Sequence, residues 1–171
     1  MFAVHCAIGG ACRRYGINQF PCCTANFHQG WPKFANAVFH VNRTVGYEGI
    51  VISLWAPASA ATPYGNITVV TDYPFGDNAT VTVAAPKAGT SLYLRVPGWA
   101  SEARIQMQGR SIQPKNGTIA RLSLPSGTST VRMIFNASVR LEMDGLEEAA
   151  QDGQKGTLSY SVHRGPILKK R

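Results

Sequence analysis

A chain of 171 residues that is 44% hydrophobic can bury a core of its own, and its size is that of one ordinary domain. Seventeen Lys and Arg against nine Asp and Glu leave a formal charge of +8, which by itself invites an anionic partner. The distribution argues against nucleic acid: apart from Arg13-Arg14 and Lys169-Lys170-Arg171 the basic residues stand singly, with no stripe and no interleaved aromatics, and no apolar run approaches the roughly 20 residues of a membrane span.

Residues 1–43 hold all four cysteines, three of the four histidines and no Asp or Glu. Met1-Phe2-Ala3-Val4-His5-Cys6 lacks the ordered charge, apolar stretch and cleavage site of a signal peptide. From Asn26 to Phe39, apolar residues at Phe27, Trp31, Phe34, Ala35 and Val38 recur close to helical spacing, which predicts a helix with Asn26 as its N-cap and Pro32 in the first turn or at a kink.

From about Gly49 the period changes to that of strands. Runs at 50–55, 67–71, 79–83, 92–96, 104–107, 119–124 and 130–135 are alternating or β-branched, and Pro, Gly, Asn and Asp separate several of them. The runs at 67–71 and 79–83 read as a hairpin, with Asp72 and Asp77 capping its turn. Strands this short at this spacing predict a mainly β fold, a β-sandwich. Residues 142–155 turn acidic and polar and read as a connector. A last strand at 157–163 precedes Arg164-Gly165-Pro166, and no neighbour for it is evident; an open edge of that kind suggests a truncated boundary.

Five N-x-Ser/Thr sequons, at Asn42, Asn66, Asn78, Asn116 and Asn136, lie in turn-like or strand-flanking places and predict an extracellular, N-glycosylated parent. Trp31, Trp55 and Trp99 each stand beside apolar residues and a turn former, which favours core packing over sugar stacking. His5 and His28 have no carboxylate near in sequence and read as surface or structural residues.

The most distinctive stretch is Phe20-Pro21-Cys22-Cys23-Thr24-Ala25-Asn26, continuing to Gly30-Trp31-Pro32-Lys33-Phe34. Adjacent cysteines pair with each other only under strain, so each seeks another partner or both serve as thiolates. Disulfides to Cys6 and Cys12, buried thiols and a metal site all remain open on this ground. Zinc takes thiolate sulfur readily and keeps it deprotonated, and a thiolate near an open position can attack an electrophilic carbon.

The Cys-Cys-Thr-x-Asn and Gly-Trp-Pro-Lys-Phe elements resemble the end of the catalytic barrel in glycoside hydrolase family 127, the non-reducing-end β-L-arabinofuranosidases. Leu54-Trp55-Ala56-Pro57, the stretch from Thr71 to Asp77, the stretch from Leu92 to Ala100 and Arg164-Gly165-Pro166 are similar to the strands of that family's sandwich. The resemblance implies a C-terminal remnant of an (α/α)6 barrel at 1–43, a β-sandwich at 44–143, and a linker with the start of a truncated second sandwich at 144–171. It implies retaining hydrolysis of an arabinose-containing glycan, with Cys22 as nucleophile and Cys22 and Cys23 on zinc. The family completes that site with a Glu-x-Cys element and an acid/base glutamate, both upstream, whereas the first carboxylate of this chain is Glu48. Hydrolysis by the isolated chain is therefore not expected, and the alternative is a non-catalytic accessory or carbohydrate-binding module.

Overall fold

Side chains alternating between apolar and polar put one face of a strand in a core and the other in water, and that period runs through most of this protein. The computed structural model describes residues 26–146 and 158–169. The chain divides into two compact units, Met1–Ala37 and Val38–Arg171.

In the first unit the described element is α1 (Gly30–Asn36), a seven-residue helix that buries none of its residues. Gln29 occupies the N-cap without a side-chain cap hydrogen bond, and its Nε2 donates to Asn26 Oδ1 at 3.0 Å. Asn26 thus lies upstream of the cap it was expected to form. The helix also stops short of Phe39, because Ala37 N closes the last turn on Lys33 O and Phe34 O, at 3.1 and 3.0 Å.

The second unit begins with β1 (Phe39–Asn42), β2 (Gly49–Ile52), β3 (Ala58–Thr62), β4 (Gly65–Thr71), β5 (Asn78–Ala85) and β6 (Thr90–Arg95). It continues with β7 (Arg104–Met107), β8 (Arg110–Ile112), β9 (Ile119–Leu124) and β10 (Gly127–Ile134). These ten strands form a four-stranded sheet, β1-β2-β6-β9, and a six-stranded sheet, β3-β4-β5-β10-β7-β8. The two share one core: Ile50, Ile52, Leu92, Leu94 and Leu124 from the first meet Ile67, Val69, Val81, Val83, Val131 and Met133 from the second. The fold is the mainly β sandwich that the patterning predicts.

Register fixes which residues face that core. β4 and β5 form the expected antiparallel hairpin, with Val69 opposite Val81 and Ile67 opposite Val83. β2 runs parallel to β6, pairing Ile50 with Leu92 and Ile52 with Leu94, so the hairpin β4–β5 and edge strand β3 intervene in sequence between two neighbours in space. That pairing is close at its start. A Cβ on Gly49 would lie 1.8 Å from the Ser91 carbonyl oxygen, so only glycine fits there.

Three more strands, β11 (Val139–Leu146), β12 (Leu158–Arg164) and β13 (Ile167–Lys169), form an antiparallel sheet of their own. β12, read from sequence as a strand without neighbours, is the central one. β11 occupies the start of the stretch expected as a connector, because Val139 to Glu142 pair with Arg164 to Ser161. Among the described residues no helix is long and apolar enough to cross a membrane.

Candidate functional site

Cys22 and Cys23 lie outside the described residues, as do Cys6, Cys12 and His5. The described part of their motif is α1 and the turn before it. Trp31 is 75% exposed, and its ring meets that of Phe34 edge-on at 6.3 Å, so the core packing expected of Trp31 is not found: a helix this short, with no buried residue, leaves its aromatic face open. His28 is exposed, as a surface histidine should be. Among the described residues no group of three or more His, Cys, Asp or Glu is placed to hold a metal.

The downstream motifs converge on one side chain. Phe135, fully buried just after β10, is met by Trp55 and Tyr73 with ring centroids 5.2 Å away and by Trp99 at 6.0 Å. Each comes from a different loop: Trp55 follows β2, Tyr73 belongs to the β4–β5 turn and Trp99 follows β6. Trp55 Nε1 donates to Arg95 O at 2.8 Å, which gives the indole its polar partner on burial. Burial pushes the Tyr73 hydroxyl's pKa above the ordinary tyrosine value, and the nearby Arg95 charge opposes that shift. Trp55 and Trp99 are packing residues, as the sequence predicts.

Arg164-Gly165-Pro166 joins the same cluster. Arg164 Nη2 donates to Asp77 Oδ2 at 2.6 Å, and a Cβ on Gly165, whose φ is +57°, would lie 3.3 Å from the Trp99 ring. Asp77 is thus an ion-pair partner for β12 rather than a turn cap. The capping falls to Thr71, whose Oγ1 donates to Asn78 O at 2.8 Å and accepts from Tyr73 N at 3.0 Å. Sequence reasoning missed Phe135 as the centre and Asp77 as the partner of Arg164. The quoted motifs marked everything around them.

The five sequon asparagines divide by what their amides do. Asn42 Nδ2 donates to Tyr93 Oη at 3.3 Å, Asn116 Nδ2 to Gly98 O at 2.7 Å, and Asn136 Nδ2 to Glu102 Oε2 at 2.8 Å. Asn66 and Asn78 are exposed on the outer face of the six-stranded sheet, and neither amide has a hydrogen-bond partner among the described residues.

The motif cluster and the sandwich agree with what comparison finds. Residues 49–131 match the family model of the β-L-arabinofuranosidase GH127 middle domain. Among solved structures, a glycoside hydrolase aligns with a TM-score of 0.66 at 21% identity, over 86% of this chain and 24% of its own. A GH127 β-L-arabinofuranosidase from Geobacillus stearothermophilus T6 aligns at 0.63 and 20% identity, over 86% of this chain and 23% of its own. A GH127 β-arabinofuranosidase aligns at 0.65 and 16%, over 86% and 25%. The chain thus spans about a quarter of the length of the solved structures it matches. A search of curated proteins found no match.

Proposed function

Because residues 49–131 match the middle domain of glycoside hydrolase family 127, we propose that this chain belongs to that family and is part of a longer enzyme releasing terminal β-L-arabinofuranosyl residues from glycans. The observation that carries this reading is the match of the sandwich to that middle domain, with the Cys22-Cys23 motif immediately upstream. Cys22 is the nucleophile. Its thiolate sulfur attacks the anomeric carbon as the glycosidic C–O bond breaks, and a carboxylic acid protonates the departing oxygen. Water, deprotonated by the same carboxylate, then displaces the sulfur and restores the thiolate, so configuration is retained over the two displacements.

Cys22 and Cys23 supply two thiolate donors to a zinc ion in that longer enzyme. Residues 1–47 contain no carboxylate, so neither the acid nor a carboxylate ligand comes from the segment around the thiols. The 171-residue chain alone does not hydrolyse arabinofuranosides. The parent is secreted, and Asn66 and Asn78 are the sequons whose amides are best placed to carry glycans.

Hydrolysis of an aryl β-L-arabinofuranoside, with zinc content measured on the same samples, tests this reading. The isolated chain is expected to be inactive and to bind no stoichiometric zinc. Turnover that disappears in Cys22→Ser would overturn the inactivity and support the nucleophile, whereas turnover unaffected by Cys22→Ser would remove Cys22 from the mechanism. The second reading, a non-catalytic carbohydrate-binding sandwich, is favoured by the polar, basic outer face of the six-stranded sheet.

A further inference from the structure

We propose that the outer face of the six-stranded sheet, across β10, β7 and β8, is a binding site for a carboxylate-bearing polysaccharide, gripped by Arg104 and Arg132. Val131, Met133 and Ile105 turn into the core, so the residues that alternate with them, Thr130, Arg132, Arg104 and Gln106, turn out to solvent. Arg132 stands opposite Gln106, and Ile134 opposite Arg104. That register makes Arg104 and Arg132 diagonal neighbours, about 7–8 Å apart along the sheet. Gln106 in turn pairs with Ser111 of β8, extending the polar row.

The two guanidiniums are uncompensated. Every ion pair among the described residues belongs to Arg140, His163 or Arg164, and among those residues Arg104 and Arg132 make neither an ion pair nor a side-chain hydrogen bond. Like charges set side by side on a sheet raise each other's energy, and an anion lying across them lowers it. Arg132 borders a shallow depression of about 330 Å³ that Gln106, Gln108, Ser111 and Thr130 also line, and Arg104 stands one diagonal step away along the sheet. The depression is rimmed by the β7–β8 turn, where Gln108 and Gly109 both take positive φ, at 49° and 76°, and hold the hairpin tight.

The side chains select the ligand. A guanidinium offers parallel N–H donors that match a carboxylate, while the amide of Gln106 and the hydroxyls of Ser111 and Thr130 can donate to and accept from sugar hydroxyls. No aromatic side chain lines the depression, so it lacks the platforms on which nucleic-acid bases stack. A uronic-acid polymer meets the whole row. This inference rests on the chain's belonging to a glycan-handling enzyme, but it concerns binding and needs no catalysis.

Affinity electrophoresis of the full chain through gels containing polygalacturonate, neutral arabinan or no polymer provides the test. The chain is made without N-glycans, because Asn78, opposite Ile134 on β10, borders the same face. Polygalacturonate is expected to retard the chain and neutral arabinan to leave it unmoved. Arg104→Gln with Arg132→Gln should weaken the apparent affinity at least tenfold, while Lys87→Gln with Lys115→Gln, an equal loss of charge at exposed loop positions, should leave it within twofold. Equal weakening by both pairs would reduce the binding to net charge and overturn the site. So would retardation by neutral arabinan, no retardation by polygalacturonate, or tighter binding of a single-stranded oligonucleotide. Circular dichroism confirms that each variant is folded. Absence of polygalacturonate binding would leave the arabinofuranosidase reading intact, and loss of that reading would not by itself abolish the retardation.

Discussion

Tyr73 sits partly buried against Phe135, and burial raises its pKa while Arg95 opposes the rise. A group whose folded pKa is raised favours its protonated form in the fold. Its contribution is fully present below the ordinary tyrosine value of about 10 and is lost as the pH climbs through the folded value. Thermal unfolding between about pH 8 and pH 11 should therefore show a steeper alkaline loss of stability in the native chain than in Tyr73→Phe; parallel profiles would contradict it. Ser129, on β10 and 3% exposed, faces the core opposite Val83, and its hydroxyl has no hydrogen-bond partner among the described residues. An unpaired buried hydroxyl costs about 1–3 kcal/mol, so Ser129→Ala should raise the urea midpoint and add about 1 kcal/mol of stability. A loss of stability would mean that the hydroxyl is paired. Trp55 and Trp99 were legible as packing residues because a large aromatic beside a turn former has few other uses. Asp77 was not, since nothing near it in sequence names Arg164.

Strands with β-branched residues on one face, such as β4, β5 and β10, were readable because their alternation and their composition agree. β3 was not: Ala58, Ser59, Ala60 and Ala61 carry little β preference, and they form a strand because β4 offers an edge for their backbone groups to pair with. β8, three exposed residues, is held by the turn that returns it onto β7. Phe39, the first residue of β1, falls at the end of the stretch whose spacing predicts a helix. Val38 at 3% exposure and Phe39 against the core show what redirected it, since burial in the sandwich outweighs a helical continuation. The parallel pairing of β2 with β6 depends on a single small residue. Gly49→Ala would drive a methyl into the Ser91 carbonyl, and forcing the strands apart should cost about 1–3 kcal/mol or more, read as a lowered denaturant midpoint with the slope unchanged. A neutral result would show that β2 can shift without loss.

Within Val38–Arg171 the third sheet meets the sandwich through Arg164 with Asp77 and through Gly165 with Trp99. The ion-paired side chains are 39% and 36% exposed, so screening limits the pair to about 0–1 kcal/mol. Arg164→Gln should consequently leave the main unfolding transition almost unmoved while speeding amide exchange in β11, β12 and β13; unchanged exchange there would deny the pair its anchoring role. The sequence by itself determined that most of this chain is a β-sandwich, where several of its strands lie, and that its motifs resemble one glycosidase family, because side-chain period and motif identity are local properties. Only the tertiary structure decided that β2 pairs in parallel with β6, that β12 is central, and that motifs far apart in sequence close around Phe135. Backbone donors and acceptors are the same at nearly every residue, so which strands pair is settled by the burial that long-range contact achieves, and no local pattern records it.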